Sequence, residues 1–244
     1  MSRFIPLLCL LAVCAAAAAV VLLLRARRPR GAQGHVTKGG TQDAVKEMEE
    51  LVRREVRQGF ASFDEIIERV ADQVEDEGVG VSRKAIGQAT TAAFTRQRAE
   101  EATWPFPTDC DRLDLAFHAL EQEGIVGRQN FACCLNCGIA EIRDEIEAAK
   151  KQGQPVGYVF YHMQDTEHAA EDGNLHLAYG SVEEGDKAAK AIGGRVVEAL
   201  RREGLDVEWD GDSKNRILVR GLQWRRRRFP QQRPRDAEED RHGS

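Results

Sequence analysis

Trp104-Pro105-Phe106-Pro107 divides this chain and limits what it can fold into. Proline fixes its own φ, offers no backbone N–H, and pushes the preceding residue out of the helical region. Two prolines this close stop any helix. Upstream of the break, apolar residues recur with helical spacing. Downstream, helix and strand patterns alternate. A start signal follows the break at once, Thr108-Asp109-Cys110-Asp111, with Thr108 as N-cap and Asp111 reaching back to it.

The upstream half predicts three helices. Val45, Met48, Leu51, Val52 and Val56 mark the inner face of the first, which is expected to begin at Asp43. Ser62 and Glu65 form a capping box for the second, with Phe63, Ile66, Ile67, Val70 and Val74 inward. Ser82 caps the third, with Ile86, Thr90, Ala93 and Phe94 inward.

The downstream half opens with a helix whose buried stripe is Leu113, Ala116, Phe117 and Leu120, stopped at Gly124. Strands are expected at Ile125–Phe131, Gly157–His162, Leu175–Tyr179, Leu205–Trp209 and Arg216–Val219, the last two as a hairpin. Between them run a helix after Cys133 with Ile139, Ile142, Ile146 and Ala149 inward, a short helix capped by Asp165, and a long one capped by Ser181 and ending near Arg202. The predicted fold class is α+β: N-terminal helices, then a mixed, mostly antiparallel sheet of about five strands with helices packed on one face.

The flanks differ in character. Phe4–Leu24 is uncharged and almost wholly apolar, and as a helix spans roughly 30 Å, the thickness of a bilayer core. Arg25, Arg27, Arg28 and Arg30 follow it, against Arg3 alone before it. That asymmetry predicts a single-pass transmembrane anchor in the cell membrane, with the domain facing the cytoplasm. A cleaved signal peptide is the competing account, since Ala15–Ala19 supply small residues for a cleavage site. The apolar run continues past them to Leu24, and the positive charge lies on the wrong side. Lipoprotein processing at Cys14 meets the bulky Val13. Residues 31–42 read as a Gly-rich linker, 43–224 as the domain, and 225–244 as a basic, then acidic, disordered tail.

The formal charge of −5 hides this segregation. Arg25–Arg30 and Arg225–Arg228 suit anionic lipid headgroups, and neither run makes the chain a specific nucleic-acid binder. Of six cysteines, Cys110, Cys133, Cys134 and Cys137 fall in the domain. Their spacing is not that of a secreted disulfide framework, and reduced thiols fit a cytoplasmic domain.

Cys134-x-x-Cys137 follows a predicted strand and opens a helix, where the helix dipole favours a thiolate. Three accounts fit the cluster: small residues packed at a strand–helix junction, a redox pair, or a zinc site drawing on Cys133, Cys134, Cys137 and either Cys110 or His162. The pattern shows neither a second C-x-x-C nor the βαβ opening of a thioredoxin fold. His162 and Asp165, near His168 and His176, form a second polar cluster, open either to acid–base chemistry or to simple helix capping. No phosphate loop, nucleophile elbow or H-E-x-x-H motif is present.

The motifs WPxPTDCDRLDxAFxxLxxxGI, NFxCCxxCGxxEI, GYVFYHxQD, LxLAYG, GLxVxWDG and RI resemble the bacterial DUF6891 family, a domain of unknown function. The resemblance runs from Asp43 to Trp224 and implies a shared fold, with no activity or residue role to transfer. The functional expectation is a membrane-anchored module that binds a partner or small ligand and is not an enzyme. The alternative is a thiol-redox or zinc-dependent activity centred on Cys133, Cys134 and Cys137.

Overall fold

The computed structural model describes residues 38–76, 80–151 and 153–228. The predicted anchor Phe4–Leu24, its flanking arginines and the segment after Arg228 lie outside them. Among the described residues, no helix is long and apolar enough to cross a membrane.

Three helices form the first half: α1 (Lys38–Gln58), α2 (Phe63–Asp76) and α3 (Arg83–Glu101). Helix α1 starts at Lys38, within the stretch expected to be linker. Met48, Val52 and Val56 stack along α1, Ile66, Val70 and Val74 along α2, and Ile86 and Ala93 along α3, closing one apolar core. Spacings of four and seven residues put each set on one helix face. Both predicted caps form: Ser62 N–H donates to Glu65 Oε2 at 2.7 Å, and Ala85 N–H donates to Ser82 Oγ at 3.2 Å.

Across the proline turn come α4 (Asp109–Gln122), β1 (Ile125–Arg128), α5 (Leu135–Ala149), β2 (Gly157–Phe160), α6 (Met163–Asp172), β3 (Leu175–Ser181), α7 (Asp186–Arg202), β4 (Asp206–Glu208) and β5 (Ile217–Arg220). The Thr108 capping box of α4 is complete, with Asp111 N–H on Thr108 Oγ1 at 3.1 Å and Thr108 N–H on Asp111 Oδ2 at 2.8 Å. The five strands lie in the order β1-β2-β3-β5-β4. Strands β1 and β2 are parallel, and the other pairings are antiparallel.

Helices cover both faces of the sheet, not one as expected. Strand alternation sends Ile125, Val159, Leu175, Leu177, Ile217 and Val219 into the main core with α4 and α7. Val126, Phe160 and Ala178 point to the other face, where Ile142 of α5 completes a smaller cluster. The reason is the parallel pair: joining β1 to β2 in one direction requires a crossover helix, and α5 is that helix. The βαβ unit missing from the sequence pattern is therefore present, at the sheet edge. Within α5, Ile142 is buried while Ile139, expected inward, is 39% exposed. Ser181 ends β3 instead of capping α7, whose N-cap is Gly185.

The domain does not end at Trp224. The Trp224 indole is buried edge-on against Tyr161, and its N–H donates to the Gln58 carbonyl at 3.2 Å. Three arginines then fold inward. Arg226 lies over Phe60 and holds Asp114 with both terminal nitrogens, at 3.0 and 2.7 Å. Arg227 donates to the carbonyls of Glu101 and Pro105, where α3 ends. Arg228 donates to the carbonyls of Glu55, Val56 and Ala61, where α1 ends. A helix C-terminus presents unpaired carbonyls and partial negative charge, which a guanidinium satisfies. The run expected to be a solvated basic tail is a strap joining the helical half to the sheet half.

Candidate functional site

Strands β1 and β2 run side by side and end at the same edge, and each leads into the first turn of a helix. In parallel sheets this is where ligands gather, because loops and helix N-termini converge there. Strand β1, expected to reach Phe131, stops at Arg128, and residues 129–134 form a loop instead. Asn130 and Ala132 both adopt left-handed backbone, with φ of 52° and 59°. Asparagine tolerates that region; for alanine it costs about 1–2 kcal/mol, so neighbouring contacts must hold it.

Those contacts come from the chain just after β2. Phe131 N–H donates to the Tyr161 carbonyl at 2.8 Å, and Met163 N–H donates to the Ala132 carbonyl at 3.1 Å. Thr166 Oγ1 donates to Asn130 Oδ1 at 2.7 Å, and the Tyr161 hydroxyl to Gln129 Oε1 at 2.8 Å. Arg226 also donates to Gln129 Oε1, so the C-terminal strap reaches this loop. Sequence reading missed Gln129, Asn130, Thr166 and Arg226 as supports, because nothing in their types signals it.

The loop delivers three thiols to the start of α5. Cys133 is exposed, while Cys134 and Cys137 are half-buried. Cys134 is the N-cap and Cys137 sits one turn in. Their three Sγ atoms lie within 4.8 Å of one another. Cys134 makes no full cap hydrogen bond, yet the backbone N–H of Cys137, then the Cys137 and Cys133 thiols, favour its charged form and lower its pKa. Cys137 is pushed up to about 12, because its thiol hydrogen is shared with the sulfurs of Cys133 and Cys134.

Cys110 does not join them. It is buried in the first turn of α4 within the main core, and burial pushes its thiol up to about 12. Nor does His162 belong to the group of three. Expected to end a strand, it is instead the N-cap of α6. Asp165 N–H donates to His162 Nδ1 at 3.3 Å, and His162 N–H donates to Asp165 Oδ2 at 3.1 Å, a capping box with histidine in the serine position. Asp165, expected as the cap, is its partner one turn in. His162 Nε2 lies 3.0 Å from the same carboxylate oxygen, which Arg216 also holds. Both ring nitrogens are thus engaged locally, which describes a neutral imidazole with its proton on Nε2. Burial, then the nearby Arg216, lowers its pKa, against the pull of Asp165.

Such an arrangement can take a soft cation on three sulfurs or cycle thiols through a disulfide. Fold and site together define an α+β domain with a thiol cluster where two parallel strands end. The chain belongs to the DUF6891 family, described as a domain of unknown function, whose family model matches residues 41–228. The matched range takes in the three inward-folded arginines. No curated protein and no solved structure matches the chain.

Proposed function

We propose that this protein is a soft-metal-binding module that takes zinc on Cys133, Cys134 and Cys137 and is held at the cytoplasmic face of a membrane by Phe4–Leu24. The observation that carries the metal reading is the approach of three Sγ atoms to within 4.8 Å. A tetrahedral zinc site with Zn–S near 2.3 Å sets its sulfurs about 3.8 Å apart, so a small closure completes it. Three protein ligands leave the fourth position to an outside ligand, the pattern of working zinc sites. The anchor rests on the length and charge flanks of Phe4–Leu24, and headgroup contact falls to Arg25–Arg30, since Arg226, Arg227 and Arg228 are engaged within the domain.

Metal analysis of the full chain after reconstitution and desalting tests the site. One equivalent of zinc is expected, lost in Cys134→Ser and Cys137→Ser and kept in Cys110→Ala. Absence of bound metal would sink the proposal. A reporter fused after Ser244 tests the topology, and activity only outside the cytoplasm would refute it.

A second reading has its own support in the N-cap position of Cys134 and its lowered pKa. A hydroperoxide would take two hydrogens from Cys134 and Cys137, giving a disulfide, an alcohol and water. Peptide mapping after peroxide treatment distinguishes it: a Cys134–Cys137 disulfide supports the reading, and over-oxidised single cysteines oppose it.

A further inference from the structure

We infer that His162 is a pH-sensitive latch on the cysteine loop, releasing the backbone next to Cys133 when its imidazole gains a proton. The inference rests on the reading of the cysteines as the working site and assigns that site its regulation. The first turn of α6 is the clamp. Met163, its first residue, holds the Ala132 carbonyl, and Thr166 holds Asn130, so both left-handed loop residues are fixed from this one turn. That turn is itself capped by the Nδ1 lone pair of His162.

A protonated imidazole has no lone pair to offer. Nδ1–H would then face the Asp165 N–H, donor against donor, at a helix terminus that already carries partial positive charge. The groups facing the ring come from three elements: Asp165 and His168 on α6, His176 on β3, and Arg216 just before β5. Asp165 alone favours the cation. Arg216 and the two other histidines oppose it, as does burial. The ring therefore stays neutral at pH 7 and gains its proton only below the usual histidine range. When it does, Nε2–H can keep Asp165, but the cap on α6 is lost. The strained backbone at Ala132 then loses the contacts that hold it.

Residue-resolved amide exchange on the metal-free full chain tests this. Protection of the Met163 and Phe131 amides, corrected for intrinsic exchange, is expected to fall roughly fivefold, the size of a lost cap, as the pH is lowered from 7 through the titration of the His162 ring, followed by its own NMR signal. In His162→Asn the side chain still accepts the cap hydrogen bond but cannot titrate, so protection stays flat. His176→Gln keeps the wild-type response. Unchanged wild-type protection once the His162 ring is protonated, or an equal fall in His162→Asn, would overturn the latch. Should His162→Asn fail to fold, His162→Ser takes its place with the same expectation. Cobalt(II), added as a probe, gives a thiolate charge-transfer band that should disappear at higher pH in wild type than in His162→Asn. If cobalt does not bind, the metal reading fails, and the exchange result still decides the latch.

Discussion

Nε of Arg228 donates a 2.8 Å hydrogen bond to the carbonyl oxygen of Val56, in the last turn of α1. The same guanidinium reaches Glu55 and Ala61 carbonyls at 3.0 and 2.6 Å and lies 4.8 Å from the Phe94 ring centre. One side chain thus closes the end of a helix far away in sequence. Arg228→Ala removes these charge-assisted bonds and leaves half-buried carbonyls without a donor, with an expected loss of about 2–3 kcal/mol. Arg228→Lys recovers little, because an ammonium cannot fork across three carbonyls. Urea denaturation should show a lower midpoint at unchanged slope, and an unchanged midpoint would contradict the strap.

Gly138 gives a case where two effects oppose. Gly→Ala within a helix ordinarily stabilises by up to about 1 kcal/mol. Here a Cβ would meet Phe160 Cε2 at 2.4 Å and Cζ at 2.8 Å. Both sit in or under well-packed structure, so overpacking of about 1–3 kcal/mol should win. Gly138→Ala is expected to be less stable in urea and to hold zinc more weakly, since α5 must shift away from the sheet. A more stable variant would show that Phe160 moves freely.

Thiol labelling at pH 8 should separate the cysteines. Cys134, with its lowered pKa, and the exposed Cys133 should label first in native protein, as resolved by peptide mapping. Cys110, buried and pushed up to about 12, should label only after unfolding. Zinc should protect the first group and leave Cys110 unaffected. Early labelling of Cys110 would mean that α4 opens readily.

Two histidines make stability depend on pH. Burial first, then Arg216, lowers the pKa of both His162 and His176. In the unfolded chain each takes up its proton near pH 6.5, while the folded protein resists. Between that value and the lower folded one, the unfolded state holds more protons, so stability falls as pH falls. Urea midpoints should drop on going from pH 7 to pH 5. The drop should be smaller in His176→Gln, and a flat wild-type profile would remove this account.

Much of this architecture was legible in the sequence because its signals are local. The Thr108–Asp111 and Ser62–Glu65 boxes and the Ser82 cap depend on residues three apart and formed as expected. The apolar stripes of α1 to α4 likewise appear as buried rows, except that Phe63, expected inward, lies in the first turn of α2 at 36% exposure, its ring edge-on to Phe94. The errors fall where a partner from elsewhere decides. Phe131 is a strand-forming type that extended the expected strand, yet the loop turns away from β1 at Gln129 because Tyr161, Met163 and Thr166 hold it, with Asn130 and Ala132 in left-handed backbone. His162 ends a run of aromatic and β-branched residues, yet the α6 N-terminus recruits its ring as an acceptor.

The sequence by itself determined the helical first half, the proline break, the five strands and the position of the thiols at a strand–helix junction. Helix periodicity, capping and β-propensity act over a few residues, and a single chain displays them. Only the tertiary structure decided that β1 and β2 are parallel, that helices cover both sheet faces, that Cys110 stands apart from the other three domain cysteines, and that Arg226, Arg227 and Arg228 point inward. Each of these depends on groups brought together from distant parts of the chain. A run of arginines looks the same whether water or helix-end carbonyls surround it, and the fold alone supplied the carbonyls.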